Sequence, residues 1–302
     1  MALRTGSIPG IKGGELLGMT EVALAMALAG SSVVVGKVLS ARLPVFLSAE
    51  LSVCAALVSC LPVQFVRRRE LSLLGRRDLA YMFLQSVFGM VLFRVFTLNG
   101  LRLTTASTAG LITSAAPVVM AVLAALVLRE RMKPRGLVAA ALAACGLLLL
   151  NLRGGGTPWD GRVLLGNLLV LAATVCEALL TIFRKRSGGR VGAVTNTTVL
   201  VAISAVLLLP FALWDLKGYD LSRVGVEGWL AVGYYGAVAT TIAYILWGDG
   251  SIRIPASRTG TAMAAMPLSA MVLSALVLGE IPGPVHLAGA VLVVGALVAG
   301  RK

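Results

Sequence analysis

Ten apolar stretches, each about as long as a bilayer-crossing helix, run through this sequence from end to end. A helix needs about 20 mostly apolar residues to cross the hydrocarbon core. Stretches that meet this length fall at about 18–39, 44–66, 79–101, 105–128, 134–152, 162–183, 194–214, 227–248, 256–279 and 284–300. Backbone groups in lipid must bond within their own segment, so each stretch is expected to be a helix. Only 13% of the residues are charged, against about 25% in a soluble domain. There is too little polar surface to cover a water-soluble fold of this length. The expected fold is therefore an all-α integral membrane protein with ten transmembrane helices. The apolar run that begins at Val22 could pass for a signal peptide, but nine more runs follow it, so it reads as the first span.

The formal net charge of +14 invites a nucleic-acid reading, which the distribution of charge rejects. A nucleic-acid binder gathers its cations on one soluble face. Here they stand in short clusters between apolar runs, such as Arg67-Arg68-Arg69 and Arg184-Lys185-Arg186. With the N-terminus placed in the cytoplasm, 19 of the 27 Lys and Arg fall on the cytoplasmic side, 7 fall outside, and Arg94 lies within a span. This asymmetry follows the positive-inside pattern and predicts cytoplasmic N- and C-termini in an inner, cytoplasmic membrane. Trp159, Trp214 and Trp229 then reach the outer interface and Trp247 the inner one.

The chain also repeats itself. Shifted by 150 residues, Leu98–Leu150 aligns without a gap on Gly248–Gly300, with 18 of 53 positions identical. The matches include Gly100/Gly250, Ser107/Ser257, Gly110/Gly260, Pro117/Pro267, Glu130/Glu280 and Pro134/Pro284. Coincident Ser, Gly, Pro and Glu are hard to obtain by chance in apolar sequence. Five spans per half is an odd number, so the copies must lie in opposite senses. The loops agree: Arg129-Glu130-Arg131-Met132-Lys133 is strongly basic, whereas its copy Gly279-Glu280-Ile281-Pro282-Gly283 carries no cation. The organisation expected is a cytoplasmic segment over 1–17 and two inverted five-helix repeats over 18–152 and 162–300. Inverted repeats place a binding site near the midplane, and rocking of one half against the other gives alternating access.

The repeated pattern "AS-x-x-G-x6-P", followed by an apolar run, "L-x-E" and a nearby Pro, resembles the drug/metabolite transporter superfamily, specifically its EamA-type ten-helix members. The resemblance covers nearly the whole chain and recurs in both halves. It implies a secondary active transporter of small metabolites, usually an exporter, with a central cavity between the halves. Glu50 stands where many such relatives would carry Arg, so family detail does not extend to that helix.

Several residues could carry the function. Glu177 belongs to a polar stripe with Asn167, Thr174 and Thr181 on one face of span six. A carboxylate at that depth is costly unless it is paired or hydrated. It could bind a substrate ammonium, couple transport to protons, or form a structural ion pair. Arg94 stays protonated and needs an anion, carbonyls or water. Its depth along its span differs from that of Glu177 by about 12 Å at 1.5 Å per residue, which strains a direct contact. Ser107, Gly110 and Pro117 share one helix face, repeated by Ser257, Gly260 and Pro267. The prolines would kink their helices beside the cavity, with Gly110 and Gly260 assisting, or these small residues would simply let helices pack. Ser107, Ser114 and Ser257 are candidate substrate contacts. Tyr234 and Tyr244 could wall the cavity and hold a cation, or pack between helices. Asn99 and Asp249 occupy equivalent positions and read as solvated ends. Glu130 and Glu280 are expected to organise their turns.

One acidic and one basic residue at intramembrane depth suit a zwitterion, and amino acids are the substrate these residues suggest. A proton-coupled exporter of organic cations, drugs or polyamines is the alternative. A scaffold would not need intramembrane charges. An enzyme would need a catalytic set, and the sequence has no histidine cluster, phosphate loop or nucleophile–base pattern. The four cysteines, all in apolar runs, suggest no metal site, and no cofactor is expected, with proton coupling left open. The expected partners are a small-molecule substrate and the bilayer, with the chain a monomer or homodimer and no nucleic acid involved.

Overall fold

A computed structural model describes residues 13–113, 161–187, 191–254 and 265–280, with isolated positions 119, 122, 123 and 283. Every regular element among the described residues is helical. We label the helices α1 (Gly13–Arg42), α2 (Val45–Val66), α3 (Arg76–Leu103), α4 (Ala106–Thr113), α5 (Gly161–Arg186), α6 (Ala193–Lys217), α7 (225–253) and α8 (Ala265–Leu278). Six of these segments are long and apolar enough to cross a membrane. The chain is a multi-pass membrane protein. Apolar residues line its outside as well as its interior: Phe65, Val206, Trp214 and Leu276 are all exposed, as lipid contact permits.

α3 and α7 are not regular throughout. Val87–Leu92 in α3 and Tyr234–Ile242 in α7 widen into π turns, and each returns to α-helix for 11 residues, Phe93–Leu103 and Ala243–Arg253. The two wide turns end at positions 150 residues apart, Leu92 and Ile242. π turns of this kind are often found at functional sites.

Glycines bring the helices together. α7 packs along α1 where Gly250 faces Gly18, and a Cβ on Gly250 would lie 2.9 Å from Val22 and 3.0 Å from the Gly18 carbonyl. α3 packs along α5 in the same way. A Cβ on Gly100 would lie 2.7 Å from Val170 and 2.9 Å from the Gly166 carbonyl. Gly18 and Gly166, like Val22 and Val170, stand 148 residues apart. One crossing is thus made twice, by equivalent residues.

α2 and α6 are a further equivalent pair, with Pro62 and Pro210 inside their helices at the same 148-residue offset. Two carboxylates show that they run antiparallel. Asp215, at the end of α6, accepts from Phe46 N (3.0 Å) and Leu47 N (3.2 Å) at the start of α2. Glu70, beyond the end of α2, accepts from Gly192 N (3.0 Å) and Thr195 Oγ1 (2.7 Å) at the start of α6. Each satisfies amides that a helix start would otherwise leave without partners. The Thr195 hydroxyl holds the Glu70 carboxyl below its usual range, against an opposing effect of burial, with Gly192 N–H and Arg67 adding to the lowering.

Glu280 plays the same part for α4. It accepts from Ala106 N (3.2 Å), Ser107 N (3.1 Å) and Ser107 Oγ (3.3 Å). Its role is therefore wider than the local turn expected from sequence, because it fastens a helix of the other half. Lys37 Nζ supports the same corner, donating to the Leu101 and Thr104 carbonyls at 2.5 Å each.

Candidate functional site

Arg94 is the best-defined polar centre of the interior. It follows the π turn of α3 and is 2% exposed. Its Nη1 donates to Ser52 Oγ of α2 (2.7 Å), and its Nη2 donates to Thr240 Oγ1 of α7 (2.6 Å). The guanidinium stacks over the Tyr235 ring at 4.6 Å. Thr240 in turn donates to the Tyr235 carbonyl at 2.7 Å, five residues back, the reach of a π turn. Hydrogen bonds to a charged group contribute about 1.5–3 kcal/mol, and a desolvated cation–π contact about 2 kcal/mol. These hold the side chain in one place. They do not neutralise it: among the described residues no carboxylate lies within salt-bridge distance of Arg94, and its electrostatic partners are Tyr235 and Tyr244.

Tyr244 links this centre to α5. Its hydroxyl points toward the Gly89 carbonyl in the π turn of α3, at a long 3.5 Å. It lies within electrostatic reach of Glu177, Arg94, Tyr235 and Arg184, and Glu177 also reaches Tyr235. Arg94 and Glu177 therefore share two tyrosine neighbours rather than a direct contact. On α5, Thr174 and Asn167 are buried on the same side as Glu177. Thr174 Oγ1 donates within its own helix to Val170 O (2.9 Å), whereas Asn167 Oδ1 accepts from Thr104 Oγ1 (2.7 Å) beyond the end of α3.

Tyr234 does not join Tyr244. Its hydroxyl pairs with Ser31 Oγ at 2.8 Å, and it lines a separate cavity of about 820 Å³ with Val34, Lys37, Ala231 and Leu273, between α1, α7 and α8. The wide turn explains the exchange. In a regular α-helix Tyr235 and Tyr244 would stand about 180° apart at 100° per residue. The π stretch between them turns less per residue and brings both toward Arg94. Thr240 and Tyr235 escape a reading of the sequence because their membership of the site depends on that turn, and Ser52 because its bond to Arg94 joins residues 42 positions apart.

Ser107 and Gly110 face α8. Ser107 Oγ pairs with Ser274 Oγ (2.7 Å), and a Cβ on Gly110 would lie 2.6 Å from Ala270. Both are packing contacts here, remote from Arg94 in the chain's hydrogen bonding. Ser114, Pro117, Glu130, Ser257 and Gly260 lie outside the described residues, as do the side chains of Thr181 and Pro267. Asn99 donates back to Val95 O at 2.8 Å and lines a surface crevice of about 490 Å³ with Arg102 and Asp215.

Residues 16–152 and 164–299 each match the EamA-like transporter family, so the match occurs twice and takes in most of the chain. The chain belongs to the EamA-like transporter family. An "Uncharacterized transporter YetK" of Bacillus subtilis (strain 168) is 35% identical over 279 residues, covering 92% of this chain and 84% of that protein. A "Probable terminal-alkyne amino-acid exporter" of Streptantibioticus cattleyicolor is 26% identical, covering 75% and 74%. A "Probable amino-acid metabolite efflux pump" of Salmonella typhimurium is 29% identical, covering 58% and 60%. One solved structure superposes with a TM-score of 0.62 at 22% identity over 95% of both chains, which shows a shared fold. As an EamA-like protein the chain is a membrane transporter of the drug/metabolite type and not an enzyme, and its partners are a small-molecule substrate and the lipid bilayer.

Proposed function

We propose that this EamA-like protein is a secondary active exporter of amino acids or similar zwitterions, which it moves by alternating access between two inverted five-helix halves. The observation that carries the reading is the environment of Arg94. A buried guanidinium, oriented by two hydroxyls and a tyrosine ring and with no carboxylate within salt-bridge distance among the described residues, is suited to an incoming carboxylate. Arg offers donors in a planar fork that matches a carboxylate, and Ser52 and Thr240 use only part of it. Glu177, within electrostatic reach of Tyr235 and Tyr244, suits the ammonium, and the tyrosine faces add cation affinity. The antiparallel run of the equivalent helices α2 and α6 supports the inversion, and with it the ten-span count. The positive-inside count supports cytoplasmic termini in the inner membrane. The names of the relatives from Streptantibioticus cattleyicolor and Salmonella typhimurium favour amino-acid export.

The test is uptake by proteoliposomes against a panel of amino acids. The wild type should transport at least one, with loss in both Arg94→Gln and Glu177→Gln. Full affinity in both variants would end the charge-recognition reading. A second reading, a proton-coupled exporter of drugs, polyamines or other organic cations, draws support from a carboxylate, Glu177, within electrostatic reach of two tyrosines. It predicts that a decarboxylated amine is moved as well as its parent amino acid, and that a pH gradient drives it.

A further inference from the structure

Arg184 stands first in the run Arg184-Lys185-Arg186, whose place after an apolar span reads as a topology signal. Its surroundings say more than that. Arg186 is exposed, as a topology-setting cation would be, but Arg184 is only partly accessible. A Cβ on Gly248 of α7 would lie 2.4 Å from the Ala193 Cβ of α6 and 2.9 Å from Arg184 Nη2, so this glycine admits α6 and the guanidinium together. Its electrostatic neighbours are Tyr244 and Asp249. Glu177 and Arg184 are seven residues apart on α5, two turns along nearly the same face. Tyr244 has Arg94, Tyr235, Glu177 and Arg184 within electrostatic reach.

The other half shows what this position holds without that chemistry. At the 148-residue offset of α1 and α5, Arg184 corresponds to Gly36, and at the 150-residue offset of α3 and α7, Gly248 corresponds to Leu98. A Cβ on Gly36 would lie 3.0 Å from Leu101 and 3.9 Å from Leu98. One half therefore sets a glycine against a leucine, and the other sets an arginine against a glycine. Bulk has changed sides at one crossing. Long cationic side chains near helix ends normally extend to water, whereas the Arg184 guanidinium is turned toward α7, with Tyr244 and Asp249 as its electrostatic neighbours.

We propose that Arg184 is a second anion-receiving station on the substrate path, taking the substrate carboxylate at the C-terminal end of α5 as Arg94 takes it at the centre. This rests on the zwitterion reading above. Thr240, beside Arg94, and Gly248, beside Arg184, are about 12 Å apart at 1.5 Å per residue. That exceeds the separation of the two charges of one amino acid, so the stations act in turn, with Tyr244 and Glu177 between them.

The test uses the full chain in proteoliposomes of known orientation, with labelled amino acids and their decarboxylated amines presented to one face at a time. Arg184→Gln should raise KM for the amino acid at least tenfold from the α5 C-terminal face and change it less than threefold from the other. The amine should be unaffected, and Arg184→Lys should recover most of the affinity. An unchanged KM in Arg184→Gln, or equal losses for amine and amino acid as a purely structural role would give, overturns the proposal. A wild type that moves amines but no amino acid overturns the zwitterion reading itself, and the proposal with it. Size-exclusion profiles that match the wild type establish that the variants are folded.

Discussion

The α1–α7 and α3–α5 crossings are the same in construction and different in content. Gly18, Val22 and Gly250 form one; Gly166, Val170 and Gly100 form the other. The π turns of α3 and α7 end at equivalent residues. Yet Arg94 in α3 corresponds to Tyr244 in α7, and Arg184 in α5 corresponds to Gly36 in α1. The lesson is that duplicated backbone geometry and recognition chemistry have separated. Glycines and wide turns are kept in both halves because helix approach depends on them. Arg94 and Arg184 are not repeated in the opposite half.

This comparison can be broken first at the glycines. Gly100→Val and Gly250→Val each force a side chain against the backbone of the facing helix, and overpacking of this kind costs about 1–3 kcal/mol or more. Both should lower the unfolding temperature of detergent-solubilised protein by similar amounts. Tolerance of one and not the other would show that the crossings are not equivalent. The next contrast is between Arg94→Gln and Tyr244→Phe, which alter corresponding positions. Losing hydrogen bonds to a charge, worth about 1.5–3 kcal/mol, should weaken amino-acid affinity by roughly 10- to 100-fold in the first. The second removes one hydroxyl and should change it by only a few-fold.

Smaller effects come from the carboxylates that fasten one half to the other. Glu280→Ala removes three hydrogen bonds from the start of α4 and should cost about 0.5–2 kcal/mol of stability, the range for a lost helix cap. Glu70 offers the finest test. Its carboxyl titrates below its ordinary value of 4.5 in the folded chain, so its contribution is present above that value and is lost as pH falls through the lower folded value. Thermal stability of the wild type should decline across that acid window, and Glu70→Gln should be less stable at neutral pH but show a shallower decline. An unchanged slope would separate Glu70 from the start of α6.

Much of this architecture is legible in the sequence because membrane spans announce themselves by length and hydropathy. The stretches expected at 44–66, 162–183 and 194–214 match α2, α5 and α6 to within about three residues at each end. Arg94 and Glu177 are legible for the same reason: charge inside an apolar run is conspicuous. What escapes is whatever depends on rotation about a helix axis. The wide turn of α7 replaces Tyr234 with Tyr235 beside Arg94, and no residue pattern marks where such a turn begins. The Ser107–Gly110 face is visible as a stripe, but the sequence does not say that α8 covers it. Arg184 is hidden by its neighbours, since three adjacent cations look alike until their directions are known. The reach of Glu280 to α4 joins residues 173 and 174 positions apart, a distance no local signal spans.

The central claim is that the buried guanidinium of Arg94 is held between α2 and α7 to receive a carboxylate. Ligand-induced thermal stabilisation of the purified chain tests it directly, with an amino acid compared against its decarboxylated amine. The account predicts stabilisation of the wild type by the amino acid and little by the amine, with the difference abolished in Arg94→Gln. Equal stabilisation by the two ligands, or a difference that survives in Arg94→Gln, would contradict it.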